Sequence, residues 1–119
     1  MHLVRIALAT TRMAAMRHFY NQVFDAKLEA VNTPEGTFYQ GELGQLLFTL
    51  VPNDVAKIEA RQNRHQMTFW VTDIEQTLRT AIQAGGVKMQ QSIETEAGKL
   101  LAILDPDGNT IEFIEQKSA

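Results

Sequence analysis

Leu104-Asp105-Pro106-Asp107-Gly108-Asn109-Thr110-Ile111-Glu112-Phe113-Ile114 is the stretch on which the fold turns. Asp105-Pro106-Asp107-Gly108 carries turn chemistry. Pro106 presets its φ, the Asp side chains can accept from nearby backbone N–H groups, and Gly108 takes φ > 0 at no steric cost. The residues that follow alternate, so a strand would send Ile111 and Phe113 to one face and Glu112 and Ile114 to the other. One face of an apolar strand then presents a single carboxylate. Taken alone, Glu112 reads equally well as a solvated residue on an edge strand.

Working backward, Leu100 to Leu104 and Val87 to Gln91 read as strands, with Glu94 to Lys99 a polar hairpin loop around Gly98. Asp73 can cap a helix, with Gln76 as its capping-box partner. Leu78, Ala81 and Ile82 form the apolar stripe of that helix, and Gly85-Gly86 stops it. Met67 to Val71 is a strand rich in β formers. The order is strand, helix, three strands.

The first half of the chain has the same order. Val4 to Ala9 is a strand and Thr11 a helix N-cap. Met16, Phe19, Tyr20, Val23 and Phe24 then recur at helical spacing, and Asp25-Ala26 closes the helix. Leu28 to Val31, Thr37 to Glu42 and Leu46 to Val51 are strands, separated by turns at residues 32–36 and at Gly44. A shift of about 61 residues lays Arg5-Ile6-Ala7-Leu8 on Gln66-Met67-Thr68-Phe69, and one of about 64 lays Gly44 to Phe48 on Gly108 to Glu112. The fold expected is α+β: two βαβββ modules, residues 1–52 and 66–119 joined by a connector at 53–65, within one domain. Their curled mixed sheets would surround a concave site. A ferredoxin-like interaction domain needs a βαββαβ order, against which the three strands after the first helix count.

Composition narrows the function. The 119 residues are 45% hydrophobic and 21% charged, an ordinary globular balance. A net charge of -3 without a Lys/Arg cluster argues against nucleic acid. There is no apolar run of membrane-spanning length and no signal-peptide core, so neither a membrane nor export is expected. With no cysteine, thiolate metal sites and Cys nucleophiles are excluded, and a cytoplasmic protein fits best.

Arg12 to Ala26 with Phe19-Tyr20, Met67-Thr68-Phe69-Trp70-Val71-Thr72-Asp73, and above all Asp105 to Phe113 resemble the vicinal oxygen chelate superfamily of glyoxalases, bleomycin resistance proteins and extradiol dioxygenases. The resemblance covers nearly the whole chain. It implies a half-barrel around a concave site, usually in a homodimer for so short a chain. It also implies a divalent metal held from the first and last strands of each module. At those positions this chain has Arg5, Phe48, Gln66 and Glu112. Glu112 is a good ligand and Gln66 a weak one, while a guanidinium offers no lone pair and a phenyl ring none either. His65 neighbours Gln66 but would point to the opposite face.

Two functions follow. The first is a metal-free small-molecule-binding protein of the bleomycin-resistance type, with Arg5, Phe48, Gln66, Thr68, Trp70, Glu112 and Ile114 lining the ligand face. The resemblance implies that Arg5 and Glu112 converge, so an ion pair would stand where the metal usually sits. The second is a lyase, isomerase or dioxygenase dependent on Zn, Ni, Mn or Fe, with Glu112 and Gln66 plus either His65 or a group from another chain as ligands. In a metal-free enzyme Glu112 is the candidate catalytic acid/base, with no second group in view. Phe48 and Trp70 equally suit packing at a module or dimer interface.

Overall fold

The computed structural model describes residues 2–57 and 65–116; residues 58–64, in the expected connector, lie outside them. The chain divides into two compact units, Met1–Glu59 and Ala60–Ala119.

Unit one runs β1 (Arg5–Thr10), α1 (Met13–Phe24), β2 (Glu29–Thr33), β3 (Gly36–Leu43), β4 (Leu46–Pro52) and a short α2 (Asn53–Ala56). Its sheet has the order β1-β4-β3-β2, in which only β1 and β4 are parallel. The helical stripe read from the sequence is the buried face of α1, where Met16, Phe19 and Tyr20 are fully enclosed. The aromatic rings form a continuous layer, with Tyr20 5.2 Å from Phe19 and 4.9 Å from Phe48 on the sheet below. The helix starts differently from the expectation. Arg12, not Thr11, is the N-cap residue and offers no side-chain cap. The hydroxyl two residues before it, on buried Thr10, accepts the Arg12 N–H at 2.8 Å. One glycine is required by space: a Cβ on Gly41 would stand 2.0 Å from the Ala26 carbonyl oxygen, which the neighbouring Glu42 N–H bonds at 2.8 Å.

Unit two runs β5 (Met67–Val71), α3 (Ile74–Gln83), β6 (Val87–Lys88), β7 (Ile93–Glu94), β8 (Gly98–Leu104) and β9 (Thr110–Gln116). The sheet order is β5-β9-β8-β6, β7 also pairing with β8, and β5 runs parallel to β9. Asp73 caps α3 as expected, accepting the Gln76 N–H at 3.1 Å. A second acceptor was not foreseen: Glu115 Oε2 takes the Ile74 N–H at 2.7 Å and ties the helix start to the last strand. The expected strand over Val87 to Gln91 is shorter, and the loop beyond it forms a hairpin of its own. Thr95 and Gly98 exchange backbone hydrogen bonds there, and the Thr95 hydroxyl bonds the Gly98 carbonyl at 2.7 Å.

The turn before β9 behaves as its sequence says. Buried Asp105 accepts from the backbone N–H groups of Asp107 and Asn109, each at 2.9 Å, and from the Asn109 amide at 2.8 Å. Gly108 sits at φ +90°. The chain is thus α+β, with two mixed, unclosed sheets, each with a helix directly after its first strand.

Candidate functional site

Strand pairing settles which residues share a face, because paired residues in adjacent strands point the same way. In unit two, Ile111 and Phe113 are buried with Leu101 and Ile103 on the face that α3 covers, together with Phe69. The opposite, open face is built in rows. Thr68 pairs with Glu112 and Glu112 with Ala102; Trp70 pairs with Ile114, Ile114 with Leu100, and Leu100 with Ile93.

Glu112 is half-buried between a threonine and an alanine. The Thr68 hydroxyl donates to Glu112 Oε1 at 2.9 Å. One carboxylate oxygen is therefore positioned, and the small Ala102 leaves space beside it. One row further along, Trp70 is 62% exposed, although the residues beneath it on β9 and β8 are apolar and half-buried. An indole left in water on a sheet face is an unusual placement for so large an apolar group. Gln66 and His65 are exposed and lie just ahead of β5.

Thr68, Trp70, Glu112 and Ile114 thus come together on one face. Phe48 does not join them: it lies on the covered face of its own sheet, 0% exposed and packed on Tyr20. Leu46 and Leu50 go with it. The open face of unit one carries Arg5, Ala7, Leu47 and Thr49 instead, by the pairs Arg5–Leu47 and Ala7–Thr49. Since Ala7 matches Thr68 in the repeat, the counterpart of Glu112 is Thr49, one residue beyond Phe48. A one-residue slip of register moves a side chain to the other side of a sheet.

Arg5 is exposed. Within its own unit the half-buried Glu112 carboxylate has the Thr68 hydroxyl on Oε1, and Arg5 belongs to the other unit.

The residues present do not fit a divalent ion of the family's type. The positions in unit one offer a guanidinium, a hydroxyl and alkyl groups. Among the described residues, no three His, Cys, Asp or Glu side chains lie together.

Tyr39 lies on β3, a strand whose alternation does not set its phase. It pairs with Leu50, so it lies on the covered face, with the Arg17 guanidinium 4.7 Å from its ring centroid. Tyr39, Thr10, Thr37 and Asp54 line an open cleft of about 520 Å³ at the end of that sheet. Neither propensity nor period points to a cleft formed where strand ends meet a helix start.

A family model described as Glyoxalase/Bleomycin resistance protein/Dioxygenase superfamily matches residues 2–113. No curated protein matches the chain. Among solved structures, the chain is similar to a glyoxalase/bleomycin resistance protein/dioxygenase family enzyme from Burkholderia phytofirmans PsJN. The identity is 19% and the TM-score 0.76, over 95% of this chain and 97% of that one. It is also similar to the genomically encoded fosfomycin resistance protein FosX from Listeria monocytogenes, at 13% identity and TM-score 0.76, over 98% and 94% of the two chains. A mutant of that Listeria protein complexed with Mn(II) and 1S,2S-dihydroxypropylphosphonic acid matches at 12% identity and TM-score 0.73, over 95% and 88%. At these identities the likeness is one of fold.

Proposed function

The chain belongs to the glyoxalase/bleomycin resistance protein/dioxygenase superfamily, and on that premise we propose that it is a small-molecule-binding protein that works without a catalytic metal. Its ligand lies on the open face of the β5-β9-β8 sheet, against Thr68, Trp70, Glu112 and Ile114, with Gln66 at the edge. The observation that carries this reading is the oriented Glu112 carboxylate, held by Thr68 at 2.9 Å on a face where the next row exposes an indole. A few placed polar groups on an apolar surface are what an organic ligand requires. Among the described residues of its own unit, the neighbour bonded to Glu112 is a threonine hydroxyl and not a second acid or base. As a working unit we propose one domain of two modules, residues 1–52 and 66–119, in a cytoplasmic homodimer; the family resemblance and the absence of cysteine support these.

Trp70 is the chain's one tryptophan, so its fluorescence and its indole N–H resonance report on the proposed face alone. Metal-free protein is titrated with a library of small organic molecules, and binders are expected to shift both signals. A ligand that perturbs Tyr39 and leaves Trp70 untouched would move the site to the cleft in unit one. Full occupancy by a divalent metal after purification, with a melt that chelator lowers, would replace this reading by a metal enzyme.

A further inference from the structure

We infer that the ligand is an organic cation, an ammonium or amidinium group carried on a flat apolar body. This rests on the reading of the open face as the binding site and concerns which chemistry that face selects. The charge on it is one-sided. Of the described cations in unit two, Arg79 belongs to α3, and Lys88 and Lys99 pair with Ile103 and Glu115, on the helix-covered side. Lys99 is also committed to Glu75, at 3.8 Å. Among the described residues, Glu112 therefore faces outward with no positive side chain of its own sheet on that face.

Thr68 occupies one acceptor direction of Oε1 and leaves the others, including both on Oε2, for a ligand's N–H groups. An anion would meet an unshielded carboxylate. A neutral ligand would have to displace water from the carboxylate without matching its charge. An ammonium does match it, and charge-assisted hydrogen bonds are the stronger kind. Trp70 lies in the adjoining row, diagonal to Glu112, where its π face can take the cation's edge or stack on its apolar body. Ile114 and Leu100 continue that row across the sheet and Ile93 closes it, giving the body an apolar bed.

The test uses three probes with one body and different charge: benzylammonium, benzyl alcohol and phenylacetate. Each is titrated into the full-length protein and followed by the Trp70 indole resonance, for the native chain and for Glu112→Gln, which keeps an acceptor for Thr68. Benzylammonium should bind at least about tenfold more tightly than the alcohol, with phenylacetate weakest, and the preference should vanish in Glu112→Gln while the melt stays in place. Equal binding of all three would overturn the cation assignment and leave the binding face standing. A preference for benzylammonium that survives Glu112→Gln would remove Glu112 from it. Displacement of benzylammonium by micromolar Mn2+ would overturn it in favour of a metal site. If no probe moves Trp70, the binding face itself fails and the inference goes with it.

Discussion

Phe48→Ala separates the two possible phases of β4 more sharply than any other change. Phe48 is 0% exposed, its ring is 4.9 Å from that of Tyr20, and it lies over the strand pair β1 and β4. Truncating so enclosed an aromatic removes its transfer free energy and leaves a cavity beside Tyr20. The expected loss is about 3–5 kcal/mol. For a chain of this length that lowers the melting temperature by roughly 12–20 °C, a large part of the stability of an ordinary domain. Leu47→Ala is the internal control. Leu47 is the adjacent residue, 36% exposed on the open face, and its truncation should cost under about 1 kcal/mol. Both variants are measured by urea unfolding and thermal melts on the full chain. A Phe48→Ala protein that melts within a few degrees of the native one, while Leu47→Ala collapses, would put β4 in the opposite register and return Phe48 to the open face.

Three further outcomes follow from contacts seen in the structure. Gly41→Ala places a methyl 2.0 Å from the Ala26 carbonyl oxygen and should cost at least about 2 kcal/mol in chemical denaturation; a neutral result would mean that the Ala26–Lys27 segment moves freely. Glu115→Ala removes the acceptor of the Ile74 N–H and a negative charge at the start of α3, for a loss of about 2 kcal/mol. Glu115→Gln should recover part of it in the same melt, and an unchanged Glu115→Ala melt would show that Asp73 suffices. Arg5→Ala should change stability by less than about 1 kcal/mol, because Arg5 is exposed; a loss of several kcal/mol would support the Arg5–Glu112 ion pair instead.

The second module was legible because its signals are local. Turn residues at Asp105 to Gly108, the Asp73 cap and strict alternation through β9 each constrain a few neighbouring residues, and all point to the same backbone. Glu112 and Ile114 were therefore assigned to the right side of their strand from sequence. What failed was the transfer of that phase to the first module. Aligning Gly44 with Gly108 assumes that the two turns are equivalent, and they are not. The β3–β4 connection closes between paired Leu43 and Leu46, whereas the β8–β9 connection closes between paired Leu104 and Thr110 and contains the whole Asp105 to Asn109 loop. Leu46 thus leaves its turn toward the helix and Thr110 leaves its own toward the open face. Every residue after them inherits that difference, Phe48 included.

That offset bears on how the chemistry is divided between the repeats. Once the register is right, each open face has one row at the same place: Ala7 with Thr49 and Gln40 in unit one, Thr68 with Glu112 and Ala102 in unit two. The backbones repeat while the side chains do not. Unit one has a 7% exposed threonine where unit two has a carboxylate, and an alanine where unit two has the hydroxyl that orients it. A site using both repeats symmetrically would need a charge or a metal donor at each. Here a single oriented carboxylate stands on one sheet, with the chain's only indole in the next row. Selection by charge and stacking needs no more than that, whereas coordination of a divalent ion needs at least two further donors. The asymmetry of this row is thus the physical reason to read the protein as a binder of organic cations.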